Sequence, residues 1–205
     1  MEEKKVGKGL NKKKLLRYLI VLAVILVFAL FQNNILQTTE YTYQSEDIPS
    51  AFDGYRIVQI SDLHNKDFIF DGYPVSKIKK CEPDMIVLTG DLIDSSNTDT
   101  EVAIDFAKEM VELAPTYYVT GNHEYWVDEE IRLSLINELT EAGVVCLDDE
   151  VITVSKDGSE ISLIGLDEAS LGYSVLSGLT EEIASEEFTL LLAHEPQYIE
   201  DYSKA

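Results

Sequence analysis

Val119–Trp126 reads VTGNHEYW. It closes an apolar run on a Gly-Asn-His-Glu turn, and two stretches upstream do something similar: RIVQISD (56–62) and MIVLTGD (85–91). Each is a short run rich in β-branched residues that ends in a small residue followed by an acid or an amide, the pattern of a buried strand opening into a loop. Helical spacing follows the second and third runs. In DTEVAIDFAKEMVELA (99–114) the apolar residues Val102, Ile104, Phe106, Met110 and Leu113 recur along one side until Pro115 stops the helix. DEEIRLSLINELTEAG (128–143) begins with Asp128 as an N-cap and ends at Gly143.

The texture then changes. VVCL (144–147), VITVS (151–155), ISLIGLD (161–167) and FTLLLAH (188–194) are strand-like, and KDGS (156–159) reads as a hairpin turn. FTLLLAH, apolar apart from Thr189 and the terminal His194, reads as a central strand. A βαβα first half followed by a β-rich second half predicts an α/β fold, a two-sheet sandwich with helices outside.

The amino terminus has a different character. Residues 1–17 carry seven Lys/Arg and two Glu, and Tyr18–Phe31 has no polar group except the Tyr18 hydroxyl. That stretch is roughly 21 Å long as a helix, short against a hydrocarbon core of about 30 Å. Leu15 and Leu16 lengthen it if Arg17 snorkels. A cleaved signal peptide has an apolar region of this size too, but QNNILQTT after Phe31 offers no small-x-small cleavage site. The reading is a single uncleaved span over 18–34, with basic residues 1–17 in the cytoplasm, a linker over 35–54 and a domain over 55–205 outside.

The net charge of −22 excludes a nucleic-acid partner held through phosphate contacts. Cys81 and Cys146 form neither a CxxC pair nor a disulfide framework, and each borders an apolar run, as a buried thiol does.

All three histidines of the chain, His64, His123 and His194, follow the carboxyl ends of apolar runs. In an α/β sheet that edge is where ligands bind. A single Asp or His there is most often a loop or capping residue, but four strand ends that use the whole histidine complement point to a shared site. Asp and His offer O and N donors to a divalent cation, and the Asn122 carbonyl suits a hard one. No thiolate is among them, so a closed structural zinc site does not fit. Mixed O/N donors from several strands suit two ions about 3.5–4 Å apart that clamp a phosphate ester and activate water.

SDLH (61–64), TGDLID (89–94), TGNHE (120–124) and LAHEP (192–196), in this order, resemble the blocks of the calcineurin-like metallophosphoesterases, and within them the bacterial branch with an N-terminal membrane segment. The resemblance covers roughly residues 55–197. It implies the two-sheet α/β sandwich of that family and hydrolysis of a phosphodiester, phosphomonoester or pyrophosphate by a hydroxide activated between two divalent ions (Mn, Fe, Zn or Mg). It makes Asp62 and His64 ligands of the first ion, Asp91 the bridging carboxylate, and Asn122 and His194 ligands of the second. His123 is similar to the family histidine that faces the phosphate and stabilises charge or protonates the leaving oxygen. Glu124 orients the loop.

The chain departs from the family in two places. Protein phosphatases of the superfamily read GDxxDRG where this chain reads GDLIDSS (90–96), which argues against a protein substrate. The family's Gly-His-x-His block is absent, and the 205 residues end eleven beyond His194. The expectation is a shortened member with little turnover by itself. Alternatives are a remnant that binds metal weakly, an anchored acidic domain with structural histidines, or a site completed by Asp67, Asp94 or Asp167.

Overall fold

A computed structural model describes residues 11–68, 72–181, 183–184 and 187–205. The first ten residues of the basic segment lie outside the described residues. Two compact units divide at Glu40/Tyr41.

The first unit contains α1 (Lys12–Gln32), whose N-cap Asn11 side chain accepts a hydrogen bond from the Lys13 amide. At 21 residues with mean hydropathy 2.5 it is long and apolar enough to cross a membrane. About 1.5 Å per residue makes it roughly 31 Å long, because it begins upstream of the apolar run, in the lysines.

The second unit holds two sheets, ordered β1-β2-β3-β4 and β5-β6-β7. The first comprises β1 (Ile57–Ile60), β2 (Met85–Thr89), β3 (Thr116–Val119) and β4 (Val145–Cys146), all parallel. In the second, β5 (Glu150–Lys156) runs antiparallel to β6 (Ser159–Gly165), and β6 pairs parallel with β7 (Thr189–Leu192). The turn between β5 and β6 has Asp157 at φ 50° and Gly158 at φ 82°, the two positive angles that a two-residue turn needs to match strand twist.

The two-residue period of a strand sorts the core. On β2, Ile86 and Leu88 face one way, onto Ile78 of α2 (Tyr73–Lys80), Ala103, Ile104, Ala107 and Met110 of α3 (Thr100–Val111), and Leu135 of α5 (Glu129–Glu141). Met85 and Val87 face the other way. There they join Val119 and Leu147 against Val154, Ile161, Leu163 and Leu192 of the second sheet. β2 is buried at all five positions, which is why its sequence shows no polar alternation. Ile164 and Leu166 then pack behind the second sheet with Leu176 of α6 (Tyr173–Thr180), near Tyr202 of α7 (Ile199–Tyr202). The layers are helix, sheet, sheet, helix. Ile48, Ala51 and Phe52 pack into the cluster between the sheets.

Among the local expectations, the burial of the cysteines needs correction. Asp128 occupies the N-cap of α5, but its side chain makes no capping bond. Both cysteines are free and only half-buried, because each lies where an element meets a loop. Among the described strands β7 is an edge, and three of its four residues are half-exposed.

Candidate metal centre

The loops after β1, β2 and β3 form one continuous surface. The Asp62 amide donates to the Gly90 carbonyl (3.2 Å), His64 to Asp91 (3.0 Å) and Asn65 to Leu92 (3.1 Å). To turn this sharply the backbone enters the left-handed region at Asp62 (φ 57°), His64 (φ 47°) and Asp91 (φ 54°). That conformation costs an L-residue roughly 1–2 kcal/mol, and such strain concentrates where side chains must converge. Gly90 (φ 82°) and Gly121 meet at the middle. A Cβ on Gly90 would lie 2.7 Å from the Gly121 Cα and from His194 Nδ1, and one on Gly121 would lie 2.3 Å from Asp91 Oδ1. Gly90 is therefore required by angle and contact together. Gly121 has an ordinary extended backbone and is required by contact alone, not by the sharp turn that a glycine before Asn122 suggests.

The side chains of Asp62, His64, Asp91, Asn122 and His194 form one chain of near contacts. His64 Nε2 is 3.5 Å from Asp62 Oδ1 and 3.6 Å from Asp91 Oδ2. His194 Nε2 is 3.5 Å from the same Asp91 oxygen and 3.2 Å from Asn122 Oδ1. Asp91 is 3% exposed and touches both histidines. Donor atoms about 2.0–2.2 Å from one ion are separated from each other by about 3.0–3.6 Å, so the spacing matches shared ligation.

Hydrogen bonding of His194 makes the same point chemically. Its Nδ1–H donates to the Thr89 carbonyl at 2.8 Å, which leaves Nε2 as the lone pair of the neutral ring. That lone pair faces a carboxylate oxygen and an amide oxygen, three acceptors with no donor among them unless a cation or a proton lies between. Without metal the proton takes the place: the hydrogen bond to Asp91 outweighs burial and pushes His194 up to about 9. Burial raises the Asp91 carboxyl, but His194, the His123 amide and the charge of both imidazoles outweigh burial and hold it below its ordinary value.

His123 belongs to α4 (Asn122–Trp126), a single turn that directly follows the third strand. Its amide donates to Asp91 Oδ1 at 2.9 Å. Its Nδ1 accepts the Ser95 amide at 3.0 Å, so in the neutral ring the proton resides on Nε2. His123 also joins His64 and Asp91 in a group whose potential ligand atoms lie within 4.8 Å of one another.

Glu124 reaches further than its own loop. It is fully buried and accepts four backbone amides: Asp91 (2.9 Å), Leu92 (2.8 Å), Ile93 (3.3 Å) and Gly121 (2.8 Å). Burial pushes its carboxyl up, and the amides act against burial. Four donors on two oxygens fit the ionised form, which only accepts. Glu124→Ala leaves these amides without a partner. The expected cost is about 3 kcal/mol or more, read as a melting point lowered by roughly 6–12 °C. Near-UV circular dichroism without added metal measures it, and a melting point within about 2 °C of the parent would contradict it.

Of the three spare carboxylates, Asp167 is committed to other hydrogen bonds, while Asp94 Oδ1 also lies 3.7 Å from His123 Nδ1. Asp167 Oδ1 accepts the Thr120 hydroxyl at 2.6 Å, and its Oδ2 accepts the Tyr125 hydroxyl and the Ala169 amide. It ties the end of β6 to the loop that carries Asn122 and His123. Asp94 bonds the amide and hydroxyl of Ser96 at 2.8 and 2.7 Å, and Asp67 is exposed. Ser95, Thr120 and Tyr125 are supporting residues without a signal of their own in the sequence. Asp167 does carry one, since it ends a strand-like run as Asp62 and Asp91 do.

Strand ends of the two sheets gather acids, an amide and histidines around one buried carboxylate, an arrangement that could hold a metal in an α/β sandwich. The chain belongs to the calcineurin-like phosphoesterase family, whose model matches residues 55–204. It is similar to the uncharacterized metallophosphoesterase YkuE of Bacillus subtilis, 32% identical over 170 residues, 80% of this chain and 58% of that protein. It is also similar to the uncharacterized metallophosphoesterase Cj0846 of Campylobacter jejuni (29% identical, 87% of this chain and 48% of that protein). A cattle transmembrane protein with metallophosphoesterase domain matches at 30% over 73% of this chain and 37% of its own length. The chain spans about half the length of the curated relatives it matches.

Proposed function

We propose that this chain forms a metal-dependent phosphoesterase site that hydrolyses a phosphodiester, phosphomonoester or pyrophosphate. The convergence of His64 and His194 on Asp91 Oδ2, with Asp62 and Asn122 beside them at the spacing of donors that share an ion, carries the reading. Asp62, His64 and Asp91 would hold one divalent ion, and Asp91, Asn122 and His194 the other. Three protein donors per ion match the open sites of catalytic metals, which keep a position for water or substrate. Bound ions supply Lewis-acid polarisation of the phosphoryl group and a nucleophilic water at neutral pH.

The protein's own residues do the rest. His194 is kept in the ligating tautomer by the Thr89 carbonyl. His123, held through Nδ1, presents Nε2–H as a hydrogen-bond donor that stabilises the charge developing on the departing ester oxygen. Asp91 aligns His123 by accepting its amide.

The domain is anchored by α1 with its amino terminus in the cytoplasm and the site outside. The basic flank of the apolar helix supports this orientation. A relative whose name includes a transmembrane protein supports the anchor.

The test is the full chain in detergent with Mn²⁺ and bis-p-nitrophenyl phosphate. Release of nitrophenolate that EDTA abolishes is expected from a version extended by a relative's Gly-His-x-His block, and little from the 205 residues alone. Ions retained without turnover by the extended version would favour the weak metal binder instead. Protease added to intact cells is expected to remove residues beyond about 40 and spare those before α1, and a fully protected domain would reverse the orientation.

A further inference from the structure

We propose that Trp126 is the wall of the leaving-group side of this site and selects phosphate esters whose leaving group carries a flat aromatic ring. The inference rests on the phosphoesterase reading and adds the substrate class. The His123 ring has two ring neighbours: His64 edge-on at 4.4 Å and Trp126 tilted at 4.7 Å. His64 is the metal side. A leaving oxygen that accepts a hydrogen bond from His123 lies within about 3 Å of the imidazole. The group attached to that oxygen cannot extend toward the ions, and the indole, 4.7 Å from the imidazole, is within its reach.

Trp126 is free to receive it. It is the one tryptophan of the chain and is 66% exposed. It belongs to none of the three apolar clusters among the described residues. Nor is it needed to hold His123, whose orientation is set by the Ser95 amide on Nδ1. An indole face left open beside a hydrogen-bond donor stacks best on another flat π-system. An alkyl group gains much less from it.

Non-hydrolysable phosphonates separate this inference from catalysis. With the full chain in detergent and Mn²⁺ present, phenylphosphonate and methylphosphonate are titrated by calorimetry. Indole fluorescence is followed in parallel, since it comes from Trp126 alone. Phenylphosphonate is expected to bind about tenfold more tightly and to change the fluorescence, which methylphosphonate leaves almost unaltered. Trp126→Ala should bring the two affinities within about twofold of each other by weakening only the phenyl ligand, and Trp126→Phe should keep most of the preference. A preference that survives Trp126→Ala overturns the proposal. So does an equal loss for both ligands, which would make Trp126 a support for the site instead of a contact. If the phosphonates behave as expected and no ester is hydrolysed by the extended version, the selectivity of Trp126 stands and the hydrolase reading falls. If neither phosphonate binds the parent chain, both fall.

Discussion

Asp91→Ala is expected to strip both ions from the chain and reduce turnover to background. Asp91 Oδ2 lies 3.6 Å from His64 Nε2 and 3.5 Å from His194 Nε2, so one carboxylate serves both halves of the centre. Its loss leaves each ion with two protein donors. The substitution also takes the acceptor from the His123 amide, which Asp91 Oδ1 holds at 2.9 Å. Asp62→Ala is the control. Asp62 is more than half exposed, has its nearest contact with His64 and lies within 4.8 Å of Asp91 and His194 ligand atoms, and its loss should cost one ion. Metal analysis after gel filtration measures both variants. Two ions retained by Asp91→Ala would remove the bridging role and with it the proposed centre.

His123→Ala, made in a version with the Gly-His-x-His block restored, should behave in the opposite way. Metal content stays near that of the parent, and turnover falls by roughly 10²–10³, the usual cost of losing one donor aimed at developing charge. The reasoning is geometric: the Ser95 amide consumes the Nδ1 lone pair, and a neutral ring then offers a proton at Nε2, not a ligand atom. His123 is nevertheless grouped with His64 and Asp91 within ligating distance. Loss of an ion on His123→Ala would make it a ligand and move the hydrogen-bond donor elsewhere. A leaving group that needs less stabilisation, such as nitrophenolate, should show a smaller effect of the substitution than an alkoxide does.

The sequence determined which atoms are available. Strand ends are short-range features: a β-branched run, a small residue, then Asp, Asn or His. The strands themselves and the hairpin at Asp157–Gly158 are legible for the same reason, because strand period and positive-φ turns act over a few residues. Helices α2 and α6 are only eight residues each, too short for the apolar spacing to stand out.

Only the tertiary structure decided how the available atoms are shared. Glu124 is three residues from Gly121, but its other partners are the amides of residues 91–93, more than thirty positions away. Asp167 has the same strand-end signature as Asp62 and Asp91, yet its oxygens are taken by Thr120 and Tyr125. Trp126 is one step past the Gly-Asn-His-Glu-Tyr run, where its place beside His123 instead of in the core depends on one turn of helix. A side chain's partners are set by distances through space. Chain order fixes those distances only for residues a few positions apart, and the packing of two sheets fixes the rest.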